Sequence, residues 1–409
     1  MTLLRNATRV LLSEGSSLSA RESLTALGTA GFDVEVIDSN PLCLARFSKF
    51  CRRLHRAPQF GVDPQGYIER VISLLTERRF DVLFPAHEQA YLFARFLDRL
   101  SDLTHLALPT FDVFKRLQSK VDFAVVLEEL GLPSPPTVIA RDERTLREAA
   151  HTLPVYVKVA FGTASHGLFR VRTSYELERA IEGVRTQLAD GVVVQKAVEG
   201  RLQRMQAVFD RGRLVGFHAN SQAVEGVGGG DLVKESVHAP IARKHMECLG
   251  RHLSWHGGLS VDYIVDSHGE PKYIDSNPRL AEIGNALAAG LNLPELLVQV
   301  SMGQRPSERR FEAPGVRSFM GIQGLLRAAR DSDSRWQLVR TIIDLALKRG
   351  IFADGTEELT PVTSDARALI PLAAVASVLL IKPSRWEQLS LATVNAYAAT
   401  PQIVRFVNH

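Results

Sequence analysis

Tyr273-Ile274-Asp275-Ser276-Asn277-Pro278-Arg279 sets an acid, an amide and a guanidinium close together on a short stretch of chain. Just upstream, Leu259, Val261, Tyr263 and Val265 alternate as a half-buried strand does. Asp266-Ser267-His268-Gly269 reads as a tight turn and Pro271 to Asp275 as the return strand. Asp262 is then predicted to face Asp275 across a hairpin. Magnesium prefers carboxylate and amide oxygens and completes its octahedron with waters and substrate phosphates. Asp262, Asp275 and Asn277 therefore make a candidate site for Mg2+ or Mn2+, with Arg279 beside it. The same residue types also cap turns and helices, so the hairpin alone leaves both readings open.

Further upstream, Val155-Tyr156-Val157-Lys158-Val159 is a β-branched strand carrying a lysine. It is followed by Phe161-Gly162-Thr163-Ala164-Ser165-His166-Gly167 and then Leu168-Phe169-Arg170-Val171. Two strands joined by a loop of small residues let backbone N–H groups approach phosphate oxygens, and Lys158 supplies counter-charge.

Taken together and in order, these segments resemble the ATP-grasp superfamily, in its carbamoyl-phosphate-synthetase-like and biotin-carboxylase-like branch, from about Val10 to about Met302. Lys120-Val121-Asp122-Phe123 through Pro135 is similar to the helix whose basic residue reaches ATP phosphates, at Lys120. Pro154 to Lys158 resembles the lysine strand, and Gly162, Ser165 and Gly167 fall in the phosphate-covering loop. Val192 to Gly200 resembles the adenine-holding strand and hinge, which implies contacts at Gln195, Lys196 and Val198. Asp262, Asp275 and Asn277 match the metal ligands, and Arg279 the basic residue of the Asn-Pro-Arg signature. A glycine-rich loop alone is weak; the ordered set is specific. Three positions depart from the family pattern, the mildest being Gln195, neutral at a hinge position that is often acidic. Asp275 stands where glutamate is usual, and Gln203 stands near the place of a ribose-binding carboxylate, where its amide can still hydrogen-bond a hydroxyl.

With 409 residues the chain exceeds the roughly 250 to 300 at which single cores stop growing. The resemblance implies a fold of α/β and α+β parts. Residues 1–117 would form a parallel-sheet pre-ATP-grasp domain, 118–303 a two-lobed ATP-grasp domain, and 304–409 a mainly helical extension. The alternation of apolar strands and helices supports the first of these: Arg9 to Leu12, a helix ending near Gly31, Asp33 to Ile37, a helix from Asp63 to Arg78, and Asp81 to Pro85. Loops at strand carboxyl ends bind ligands in such sheets, which marks Glu14 to Ser17, Asp38 to Pro41, His87 and Glu88. Helix capping explains each of these equally well.

Hydrophobic residues at 45% and charged residues at 23% are ordinary for a globular protein. The formal charge of +4 is not gathered into a basic tail or stripe, which argues against nucleic acid. Cys43, Cys51 and Cys248 lack a CxxC spacing and read as reduced thiols. The first residues lack the apolar run of a signal peptide, and a cytoplasmic location is expected. The uncharged stretch Ala368 to Ile381 is shorter than the roughly 20 residues that span a bilayer and contains Pro371. A buried helix or a hydrophobic partner surface is expected there, with no transmembrane segment.

Ala223 to Asp231 carries three consecutive glycines, and in the family a loop here lies over the triphosphate. Lys234 would then meet the γ-phosphate; a flexible linker and a solvent-facing lysine are the competing readings. The resemblance implies a ligase that uses ATP and Mg2+ to activate a carboxylate as an acyl phosphate. An amine or similar nucleophile then displaces phosphate, with Arg279 steadying the intermediates. Small-molecule acid and amine substrates are its expected partners, and a homodimer is compatible with it. Two alternatives stay open: a catalytically silent nucleotide-binding scaffold, and an enzyme phosphorylating carbamate or bicarbonate.

Overall fold

The computed structural model describes residues 7–162, 166–310, 313–332, 334–359 and 363–408. At its N-terminal end four parallel strands lie in the order Cys51–Arg56, Asp33–Asp38, Arg9–Leu12, Val82–Phe84. The three apolar strands are buried, as parallel strands covered on both faces are. The fourth, rich in arginine, forms the half-exposed edge. Ser17 caps the helix Leu18–Thr29 and Asp63 caps Pro64–Arg78, so the expected helix starts hold.

A small four-stranded antiparallel sheet follows, ordered Thr137–Ala140, Val192–Lys196, Val155–Val159, Leu168–Val171. The larger sheet runs Pro271–Asn277, Gly257–Val265, Arg201–Asp210, Arg213–Glu225, Asp231–Ser236, Arg317–Phe319, Gly355–Glu357. These two sheets are the expected lobes, and the fold class read from the sequence holds.

The last hundred residues are less separate than an appendage. Helices Gly321–Asp331, Arg335–Ala346, Leu369–Ile381, Trp386–Tyr397 and Pro401–Asn408 dominate them. Yet Arg317–Phe319 pairs antiparallel with Asp231–Ser236, and Gly355–Glu357 adds beyond it. A division at 303 therefore cuts a continuous sheet. The extension also reaches back to the first unit. Asp365 accepts from Arg21 at 3.0 Å and from the Lys49 amide at 3.1 Å, and Thr400 donates to the Gly61 carbonyl. The apolar stretch ending at Ile381 forms a helix packed through Leu372, Val375 and Leu379, with Ile370 and Ile381 exposed. Among the described residues no helix is long and apolar enough to cross a membrane. All three cysteines are free thiols.

Candidate functional site

A cavity of about 820 Å³ lies between the two lobes, the first unit and the extension. Its acidic wall is the hairpin of Gly257–Val265 and Pro271–Asn277, closed by a Gly269 N–H to Asp266 carbonyl bond of 3.0 Å. Gly269 has φ +80°, which accounts for a glycine in that turn. Asp262 is the register partner of Asp275, as expected, and such pairs set their Cβ atoms about 5 Å apart. Register jumps from Asp275 to Tyr273 opposite Tyr263, leaving Ile274 as an extra residue. Bulges re-aim backbone groups; here the Ile274 carbonyl accepts a hydrogen bond from Lys158 Nζ at 2.8 Å.

Asp262, Asp275, Asn277 and Arg279 all line the cavity. Burial pushes the Asp262 carboxyl up to about 7, with Arg204 pulling it down and Asp275 and Glu282 adding to the rise. Lys120 forms an ion pair with Asp275, and Arg204 Nε lies 3.6 Å from Asp262. The donor chemistry fits a hard cation, whose charge would relieve the crowded carboxylates. Among the described residues no three His, Cys, Asp or Glu side chains form a ready cage. Two carboxylates and an amide leave positions for water and phosphate, as magnesium requires.

Opposite the hairpin stand the two lysines. Lys120 opens the helix Lys120–Glu129 behind the Ser119 cap, and its amide bonds the Ala160 carbonyl at 2.8 Å. Lys158, buried, also donates to Gln195 Oε1 at 2.7 Å; burial pushes its ammonium down to about 8, with Asp275 opposing. Gln195, Lys196 and Val198 line the same cavity. The Lys196 and Ala197 amides are committed to the Pro136 and Pro154 carbonyls. Gly162 lines the cavity, and a side chain there would meet the His166 carbonyl at 2.3 Å. Gly167 is the turn residue, at φ +76°, and Ser165 lies outside the described residues.

Two expectations are corrected. Gln203 does not line the cavity; Leu202, Arg204 and Gln206 do. Alternate residues of a strand face opposite sides, and the partner of Asp262 is Arg204, which fixes the parity. Lys234 is wholly buried away from the cavity, 2.9 Å from Glu358, 3.2 Å from Glu282 and 4.0 Å from Glu22. Burial alone would push its ammonium down, and the carboxylates hold it up.

Other residues went unnoticed in the sequence. Arg204 bridges Asp231 and Asp262, and Glu282 reaches the cavity from the bend after Arg279. Glu88, marked by its place after a strand, forms a 3.0 Å ion pair with Arg279 and accepts from Gln118 Nε2 at 2.8 Å. His87, pushed well below its usual range by burial and by Arg279, packs its ring 4.0 Å from that of Tyr397. The glycine loop does line the cavity, with Gly228 and Gly229 in left-handed conformations. It is no free linker, because Val227 N–H donates to Gln323 Oε1 at 2.9 Å.

No family model matches the chain. It is 21% identical over 311 residues to the carbamoyl phosphate synthase large chain of Methanospirillum hungatei, covering 71% of this chain and 29% of that one. It is 22% identical over 320 residues to the arginine-specific large chain of Geobacillus stearothermophilus, at 70% and 29%. The chain thus spans less than a third of the curated relatives it matches. Among solved structures, the biotin carboxylase domain of Hydrogenobacter thermophilus 2-oxoglutarate carboxylase, in complex with MgADP and bicarbonate, has a TM-score of 0.62. Its identity is 17%, with 76% of this chain and 72% of that one covered. Staphylococcus aureus N5-carboxyaminoimidazole synthetase complexed with ADP gives 0.62, 15%, 78% and 83%. The fold is that of the ATP-grasp proteins. It takes the form shared by biotin carboxylase and N5-carboxyaminoimidazole synthetase.

Proposed function

We propose that this chain is an ATP-dependent ligase that activates a carboxylate as an acyl phosphate and couples it to an amine, releasing ADP and phosphate. One observation carries the reading: Lys120, Lys158 and the group Asp262, Asp275, Asn277 and Arg279, from three separate stretches of sequence, line one cavity. The relatives' bound MgADP and bicarbonate support it. Magnesium held by Asp262, Asp275 and Asn277 would supply charge neutralisation at the phosphate oxygens.

Lys120 and Lys158 add fixed positive charge, the main protein contribution to phosphoryl transfer. Lys120, now paired with Asp275, would turn to phosphate, and Tyr156, Val198, Leu202 and Ile274 line the part of the cavity that would take the purine. Arg279, held by buried Glu88, presents its guanidinium to the acid and then to the oxygens of the acyl phosphate. The amine attacks the acyl carbon, the acyl C–O bond breaks and phosphate leaves with its electron pair while the amine's proton passes to the departing phosphate, so no side-chain nucleophile is needed. A small acid such as bicarbonate or carbamate is the second reading, favoured by the names of the relatives.

The test is a screen of mixed acids and amines for magnesium-dependent release of ADP. Turnover with a matched pair, abolished by Asp275→Ala, is expected. Nucleotide binding without turnover across a broad panel, untouched by Asp275→Ala, would leave a scaffold, and AMP with pyrophosphate would indicate adenylation.

A further inference from the structure

The cavity has two apolar ends separated by its charged band. Direct contacts order the band: Gln195 holds Lys158, Lys158 reaches the Ile274 carbonyl beside Asp275, Arg279 follows two residues after Asn277, and Glu88 holds Arg279. Beyond Arg279 comes Tyr397, which touches His87 and feels the charges of Arg279, Glu282 and Glu88. The purine reading uses the end at Lys158 and leaves the end at Tyr397 unassigned.

That second end is a chamber built from two distant parts of the chain. Leu18 and Leu44 come from the first unit; Leu326, Val375, Val394 and Tyr397 come from three helices of the extension. Leu18, Leu44 and Val375 pack against the same apolar cluster that contains Leu326, so the wall is continuous. Pockets that fix a ligand usually join an apolar lining to a few convergent polar groups. The polar group at the mouth of this one is Arg279, which is 6% exposed and whose Nε has no hydrogen-bond partner among the described residues. A buried donor without a partner is rare in native proteins and points to a bound acceptor.

We infer that the acid taken by this site has an apolar body: its carboxylate sits on Arg279 and its hydrocarbon part fills the chamber between the first unit and the C-terminal helices. This rests on the ligase reading and narrows its substrate to monocarboxylates with an aliphatic or aromatic tail. It also gives the extension a role, because that segment supplies most of the chamber.

The experiment titrates n-alkanoates from acetate to decanoate into the full chain by calorimetry, with and without MgADP. Each buried methylene is worth about fourfold in affinity, so affinity rises in steps of that size until the chamber is full. Alcohols of equal length bind more weakly. Val394→Trp and Val375→Phe fill the space from two different helices. Each is expected to weaken octanoate at least tenfold, and an unaltered circular dichroism spectrum and melting temperature show that each has folded. A flat response to chain length overturns the inference, as does a rise that survives in both variants. A rise with n-alkylamines in place of n-alkanoates overturns the assignment to the acid. Failure of MgADP to bind would count against the ligase reading alone, since the titrations without nucleotide still report on the chamber.

Discussion

Lys234→Met separates a phosphate-binding lysine from a structural one. The ammonium is 1% exposed and lies 2.9 Å from Glu358 and 3.2 Å from Glu282, with Glu22 at 4.0 Å. At an effective dielectric of about 20 each of the two short contacts is worth roughly 5 kcal/mol before desolvation is counted. Most of that offsets taking the ammonium and carboxylates out of water, and removing one partner of such a buried group leaves a net loss of about 3–5 kcal/mol. Glu22 softens the loss. Its carboxyl is pushed well above the usual range by burial, against the pull of Lys234, so losing the lysine moves it further in the same direction.

Urea unfolding followed by circular dichroism should show this loss, and the melting temperature should fall by roughly 5 °C if the chain unfolds as one unit. Adding Glu358→Gln to Lys234→Met should restore at least about 1 kcal/mol, because contacting charges are not additive. The amide keeps an acceptor for Ser318 and removes an unpaired charge. Nucleotide affinity, read separately with MgADP, should change little. A variant as stable as the parent with nucleotide affinity reduced tenfold or more would refute the reasoning and return Lys234 to the phosphates.

Two further predictions concern pH. Lys158 is pushed down to about 8 by burial, so its charge is lost as pH rises through that value. Nucleotide affinity should fall by up to tenfold per pH unit above about 8, and Lys158→Met should flatten the profile; equal slopes in both proteins would discount Lys158. Glu14 is raised from 4.5 to about 7 by burial and by Asp38. The folded state then binds the proton more tightly than the unfolded one. The resulting stability is present below about 4.5 and is lost as pH rises through 7, roughly 3 kcal/mol in all. Glu14→Gln preserves acceptors for the Ser16 and Ser17 amides and should be the more stable protein at pH 8. Parallel stability profiles between pH 4.5 and 8 would show that Glu14 is not the group responsible.

The hairpin was legible because everything that makes it is local: alternating apolar residues, a glycine turn and two acids on facing strands. The strand carrying Lys158 and its partner Leu168–Val171 were legible for the same reason. Gln203 was misread because the face of a residue in Arg201–Asp210 depends on its register against Gly257–Val265, a distant pairing. Once Asp262 is known to look into the cavity, its partner Arg204 must look there too. Lys234 was beyond sequence reasoning, since its partners come from residues 22, 282 and 358 and meet only after three segments dock. Cys51–Arg56 escaped notice because an edge strand facing solvent needs no apolar run.

The extension belongs to the site by the logic of what its removal would expose. Without Arg317–Phe319, the strand Asp231–Ser236 becomes an open sheet edge, a template for pairing with other chains. Without Glu358, Lys234 loses its nearest counter-charge. The glycine loop would lose its anchors as well, since Gln323 accepts from the Val227 amide while Arg327 and Arg330 donate to the carbonyls of Glu225 and Gly226 at 2.7 and 3.0 Å. All three side chains sit on the helix Gly321–Asp331, which also turns Ile322 and Leu326 into the cavity. A single helix therefore holds the glycine loop with its polar residues and walls the cavity with its apolar ones.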